Sequence, residues 1–105
     1  MAIAIVQGVF SVRPEDRDRF IEQSVDGIRS ARSEEGCLEY VFAADPIDPG
    51  RVILSERWES IEALDRHLQR SAGTRTRPDP EPEIRAVPLS REIVIYEVAS
   101  SRPLG

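Results

Sequence analysis

Four segments with two-residue apolar alternation, two with helical spacing, and their order β-α-β-β-α-β together predict an α+β fold of the ferredoxin-like type. Such a fold is a small antiparallel sheet with two helices on one face. At 105 residues, with 40% hydrophobic and 31% charged, the chain makes one ordinary globular domain over 1–105. A chain of this length buries only about two-thirds of its unfolded surface, so a partner covering an apolar face would add much.

The elements follow in order. Residues 3–12 alternate with Ile3, Ile5, Gln7 and Val9 on one face and Ala4, Val6, Gly8, Phe10 and Val12 on the other, so both faces of this strand should be covered. Arg13-Pro14-Glu15-Asp16 opens a helix, with proline suited to the first turn and two acids near the positive end of the dipole. Phe20, Ile21, Val25, Ile28 and Ala31 carry its stripe to Ser33, and Gly36 supplies the stop. Cys37 to Ala44 is the second strand, with Leu38, Tyr40 and Phe42 on one face and Cys37, Glu39, Val41 and Ala43 on the other. Two prolines and a glycine make residues 45–50 a loop, so the third strand, Arg51 to Trp58, closes a hairpin with Val52, Leu54, Glu56 and Trp58 sharing a face.

Ser60 caps the second helix, whose stripe is Ile61, Leu64 and Leu68, with His67 at its edge. Residues 73–82 are polar and proline-rich and read as an exposed loop. Residues 84–87 read as a short extended segment. Glu92 to Val98 is the last strand, with Ile93 and Ile95 opposite Val94, Tyr96 and Val98, and residues 100–105 read as a frayed tail. Two helices cover one side of such a sheet, yet the first and last strands are apolar on both. The uncovered face is therefore expected to meet an identical sheet in a two-fold homodimer.

Composition excludes several classes. All 14 basic residues are arginine, against 19 acidic ones, and the net charge of −5 argues against nucleic acid as a partner. A single cysteine, Cys37, rules out an internal disulfide and a multi-cysteine metal site, and the acids show no metal-ligand spacing. The apolar N-terminal run is short and lacks a preceding basic segment, and no stretch approaches the roughly 20 apolar residues of a membrane span. The expectation is a soluble, cytoplasmic protein without membrane contact.

Glu34-Glu35-Gly36-Cys37-Leu38-Glu39-Tyr40, followed by Glu56-Arg57-Trp58-Glu59-Ser60-Ile61-Glu62-Ala63-Leu64-Asp65-Arg66-His67-Leu68, strongly resembles the antibiotic biosynthesis monooxygenase family, and within it the bacterial quinol monooxygenases. The resemblance extends more loosely over about residues 3 to 98. It implies a dimeric α+β barrel with a pocket between each subunit's sheet and helices. In the oxygenase branch it implies oxidation of a phenol, hydroquinone or anthrone-like substrate by O2 with no metal, flavin or haem cofactor. An electron-rich phenolate can itself donate an electron to O2, so the protein needs only to bind it, deprotonate it and shelter the radical pair.

Trp58 matches the tryptophan that lines the pocket of the anthrone-oxidising members. Their accompanying Asn and Tyr correspond here to Leu54 and Leu64. The haem-degrading branch pairs a first-strand Asn with a helix-two Trp and a later iron-binding His, where this chain has Gln7, His67 and no further histidine. A third relative isomerises a phosphorylated signalling sugar with the same blocks.

Each candidate has two readings. Trp58 walls an aromatic pocket or anchors the second helix on the sheet. His67, the only side chain whose ordinary pKa lies near neutrality, takes a proton from a hydroquinone or bridges helix and solvent. Glu56, if buried, is a base with a raised pKa or the partner of an arginine. Tyr40 and Tyr96 bind a substrate oxygen or pack. Phe10, Phe42, Leu54 and Leu64 are expected to line the pocket. The leading expectation is a cofactor-independent monooxygenase acting on a small aromatic molecule with O2, with His67, Trp58 and Glu56 catalytic. A non-catalytic ligand-binding dimer and a small-metabolite isomerase are the alternatives.

Overall fold

The computed structural model describes residues 2–74 and 85–105, with 73 and 74 by their backbone alone. The elements run β1 (Ala4–Ser11), a 3-10 turn (Pro14–Asp16), α1 (Arg17–Gln23), α2 (Val25–Arg32), β2 (Cys37–Ala44), β3 (Arg51–Trp58), α3 (Ile61–Thr74) and β4 (Ser90–Glu97). All strand pairs are antiparallel and the sheet order is β2-β3-β1-β4, the ferredoxin-like arrangement.

β1 lies inside the sheet, and its alternation is read out as expected. Ala4, Val6, Gly8 and Phe10 are buried beneath the helices, while Ile5 and Val9 on the reverse face are half-buried. β3 runs beside it with Val52, Leu54, Glu56 and Trp58 all buried on the helix side. The core forms two clusters. Phe10, Val12, Phe20, Val52, Leu54 and Ala86 make one, Ala4, Val6, Trp58, Ala63 and Leu64 the other, and Tyr40 packs against both. Between them on β1 stands Gly8, where a Cβ would approach Ile93 Cγ1 at 3.1 Å and Leu54 Cβ at 3.3 Å.

The single helix expected over 14–33 is broken at Ser24. Its hydroxyl donates to the Phe20 carbonyl at 2.9 Å and its N–H bonds Ile21 rather than the residue four back, which bends the chain into α1 and α2. Gly36 does end the helical region, at φ +87°, where a side chain is disfavoured. Its absent Cβ also matters for packing, since it would lie 2.7 Å from Ala63 Cβ on α3.

β2 departs from the expected alternation at its first residues. The register shifts between Cys37 and Glu39, a bulge that sets Cys37 opposite Trp58 and Tyr40 opposite Glu56. Cys37 therefore packs on the core with Tyr40 and Phe42, and Leu38, expected on their face, is 50% exposed. The hairpin loop is held by Asp45, whose carboxylate accepts from the Ile47 and Asp48 amides and from Arg51 Nη1 at 2.8, 3.1 and 2.9 Å. These bonds pull its pKa down to about 2.

The described part of the extended segment expected at 84–87 is not a strand. Ala86 is buried, and both its backbone groups are bonded by the Gln23 side chain, at 2.7 and 2.9 Å, in place of a ladder neighbour. The loop expected over 73–82 lies outside the described residues from 75 onward, and Gly73 and Thr74 are the last residues of α3. Residues 99–105 are exposed and carry no regular element. Among the described residues no helix is long and apolar enough to cross a membrane.

Candidate active site

The site begins where the Gly36 turn meets α3. Because Gly36 has no side chain, the turn lies directly on Ala63, and its carbonyl accepts from the Glu59 amide at 2.8 Å. One helical turn beyond Ala63 stands His67, and two residues before Gly36 stands Glu34. The close approach of the two backbones brings their side chains together, with His67 Nδ1 2.6 Å from Glu34 Oε2. The two side chains are only 11% and 9% exposed. The other carboxylate oxygen of Glu34 meets Arg70 Nη1 at 3.3 Å.

A carboxylate only accepts, so Nδ1 is the donor in this bond, and in the neutral ring the lone pair then lies on Nε2. Nε2 lies 3.4 Å from Ser71 Oγ, one turn along α3. The imidazole is held between two rings: Trp58 at a centroid distance of 4.8 Å and 31° tilt, and the edge-on Tyr40 at 5.5 Å.

Glu56 is the buried acid of the sheet, 5% exposed, and accepts from Trp58 Nε1 at 2.9 Å. Burial pushes its carboxyl pKa up, against the opposing pull of the Trp58 bond and nearby His67. Burial likewise raises the Tyr40 phenol, with Glu56 and Glu34 adding to the effect, so Tyr40 stays protonated. The site thus joins an anchored imidazole, a carboxyl that holds its proton more tightly than usual, and a neutral phenol.

These groups border a cavity of about 220 Å³ between the sheet and α3. Of the residues expected from the sequence, Glu56, His67, Tyr40, Phe10, Phe42 and Leu54 line it. Trp58 and Leu64 do not. Both are fully buried in the second core cluster, where Trp58 backs His67 and holds Glu56 from behind. Tyr96 pairs with Ile5 on the reverse face of the sheet, away from the cavity. Sequence reasoning missed Glu34, although its block was in view, because only the fold brings it to His67. It also missed Ser71 and the β4 wall, Arg91, Ile93 and Ile95. Among the described residues no group of His, Cys, Asp and Glu is arranged to hold a metal ion.

The family model described as antibiotic biosynthesis monooxygenase matches residues 3–78. An uncharacterised protein of Synechocystis sp. is 32% identical over 100 residues, which is 95% of this chain, and the chain spans 66% of that relative's length. A candidate antibiotic biosynthesis monooxygenase of Deinococcus radiodurans superposes with a TM-score of 0.74 at 21% identity, covering 97% of this chain and 98% of its own. Its counterpart from Chloroflexus aurantiacus gives 0.66 at 27% identity, covering 98% and 99%. A haem degrader of Mycobacterium tuberculosis, with two haems in its active site, gives 0.72 at 13% identity, covering 95% and 99%, and at that identity shares the fold alone. The family match runs from β1 into α3 and takes in Glu34, Glu56 and His67, and the chain belongs to the antibiotic biosynthesis monooxygenase family.

Proposed function

We propose that this protein is a cofactor-independent monooxygenase that oxidises a hydroquinone or related phenolic compound with O2. The observation that carries the reading is His67, its Nδ1 anchored on Glu34 at 2.6 Å, on the wall of a largely apolar cavity. A substrate hydroxyl gives its proton to His67 Nε2, and the resulting phenolate passes one electron to O2. Recombination of the radical pair at a ring carbon and loss of water give the hydroxylated quinone. The balance is one hydroquinone and one O2 to one hydroxyquinone and one water. The second hydroxyl gives up its proton as water leaves, Glu56 is the carboxyl on the same cavity wall, and the apolar walls limit water near the radical pair.

Trp58 serves this chemistry from behind, by fixing Glu56 and backing the imidazole. The reverse face of the sheet, with Ile5, Val9, Ile53, Val94 and Tyr96 uncovered within the chain, supports a two-fold dimer built sheet to sheet. A second reading, ligand binding without turnover, is favoured by Leu54 and Leu64 standing where the oxygenase branch has Asn and Tyr. An isomerase of a charged metabolite fits less well, because the cavity walls are mainly apolar. The deciding experiment is O2 uptake by chelator-treated protein with 1,4-naphthohydroquinone, corrected for autoxidation. A saturable excess that disappears in His67→Ala is expected. No excess with the wild-type chain overturns the oxidation reading.

A further inference from the structure

Ser71 has no part in the oxidation described above, yet its place beside the imidazole is specific. It stands one turn after His67 on α3, so the two side chains share a face of the helix, and its Oγ lies 3.4 Å from His67 Nε2. On the far side of the ring, Nδ1 lies 2.6 Å from Glu34 Oε2, and the other oxygen of Glu34 meets Arg70 Nη1 at 3.3 Å. With Nδ1 donating to Glu34, the lone pair of the neutral ring faces the Ser71 hydroxyl. Hydroxyl, imidazole and carboxylate are thus connected in the order and polarity of a nucleophile, its general base and the acid that orients the base. The Ser71 contact is longer than the roughly 2.6–3.2 Å of an engaged nucleophile, a looseness common where no substrate is bound.

An activated hydroxyl matters only where a substrate reaches it. Tyr40, His67 and Ser71 line two spaces at once, the cavity between the sheet and α3 and a groove of about 310 Å³ between α2 and α3. The two spaces differ in character. The cavity adds apolar walls such as Phe10, Phe42 and Leu68, whereas the groove adds Ser30, Glu34 and Arg70. A molecule with an apolar end in the cavity and a polar end in the groove crosses from one to the other past Ser71. Two donors border the groove with Ser71, the Tyr40 phenol, which burial keeps protonated, and the Arg70 guanidinium. Either suits negative charge developing on a carbonyl oxygen there.

We propose that the protein is also an esterase for carboxylic esters of small apolar acids, with Ser71 the nucleophile, His67 the general base and Glu34 the positioning residue. Ser71 Oγ attacks the carbonyl carbon and passes its proton to His67 Nε2. As the bond from that carbon to the alcohol oxygen breaks, His67 gives the proton to the leaving oxygen, and the acyl group stays on Ser71. Water then gives a proton to His67 and attacks the acyl carbon, the bond to Ser71 Oγ breaks, and the proton returns to Ser71. The balance is one ester and one water to one acid and one alcohol, with no oxidant. The activity shares His67 with the oxidation but needs neither O2 nor a phenolic substrate, so the two readings stand or fall separately.

The test is hydrolysis of 4-nitrophenyl butyrate by the full chain under argon, read as nitrophenolate release, for wild type, Ser71→Ala and His67→Ala. Alongside it the wild type is treated with phenylmethylsulfonyl fluoride, which sulfonylates an activated serine and is not turned over, and the adduct is located by peptide mass spectrometry. Saturable hydrolysis is expected, with at least about a hundredfold loss of kcat/KM in either variant and the sulfonyl group on Ser71. Hydrolysis that survives Ser71→Ala but not His67→Ala makes the imidazole itself the nucleophile and overturns the assignment to Ser71. A sulfonyl group on another residue, or none, overturns it as well, and that readout needs no variant to fold. Wild-type hydrolysis no faster than that of His67→Ala overturns the esterase proposal. Because O2 is absent throughout, failure of quinol oxidation has no bearing on these outcomes.

Discussion

Replacing Glu34 is the most informative perturbation of this site, because the fold gives that carboxylate one dominant task. Glu34→Ala removes the acceptor from His67 Nδ1, 2.6 Å away, in a setting where the two side chains are 11% and 9% exposed. The contact to Arg70, 67% exposed at 3.3 Å, adds little. A hydrogen bond to a charged group contributes about 1.5–3 kcal/mol, which corresponds to roughly a tenfold to hundredfold loss in kcat if the orientation of His67 limits the rate. Glu34→Gln keeps an oxygen that can accept from Nδ1 and should lose less. His67 is the only histidine in the chain, so its ring nitrogens can be read without ambiguity by 15N NMR. The wild type should show the proton on Nδ1, and Glu34→Ala a mixture of tautomers together with the fall in kcat at little changed secondary structure. An Nε2–H tautomer in the wild type, or an Ala variant that keeps both tautomer and rate, refutes the positioning argument.

Three further outcomes follow from the packing. The buried Glu56 keeps its proton more tightly in the folded chain than in the unfolded one, so its contribution to stability is present below the ordinary value of 4.5 and is lost as pH rises through the raised folded value. Glu56→Gln, which can still accept from Trp58, should gain on the wild type across that window in denaturant titrations at stepped pH, and no pH-dependent gap would contradict it. Gly36→Ala combines a left-handed backbone at φ +87° with a Cβ 2.7 Å from Ala63, and should cost about 2–4 kcal/mol in urea unfolding. It should also lower turnover by displacing Glu34; a change below 1 kcal/mol, taken as roughly the floor of the left-handed penalty, would mean that the turn relaxes freely. Tyr96→Arg places charge on the uncovered sheet face, where Tyr96 is 50% exposed, and should convert the expected dimer to monomer by light scattering while leaving the cavity lining intact.

The sequence was legible where punctuation is strong. Gly36 and the 45–50 loop bound β2, and that loop with the Ser60 cap bounds β3, so both strands fall at their expected residues, 37–44 and 51–58. Alternation grouped Phe10 with Val6 on one face of β1 and Leu54 with Glu56 on one face of β3, and the fold turns those faces to the cavity. Those signals are local, and local sterics determine them.

What only the tertiary structure decided depends on contacts that no window of sequence contains. Alternation states that neighbours point to opposite faces, but the bulge at Leu38 resets the parity of β2, exchanging Cys37 and Leu38. Trp58 and Leu64 carry the right residue types for a pocket, yet depth in the core is set by what α3 packs against, and both sit behind the wall rather than in it. Tyr96 is one residue from the cavity wall at Ile95, and the pleat sends it to the other side of the sheet. Glu34 and His67 are 33 positions apart, and the missing side chain of Gly36, which lets one backbone rest on Ala63, is what brings the carboxylate within hydrogen-bond reach of the imidazole. The sequence by itself determined the elements and the chemistry available, while the close approach of distant backbones selected which groups meet.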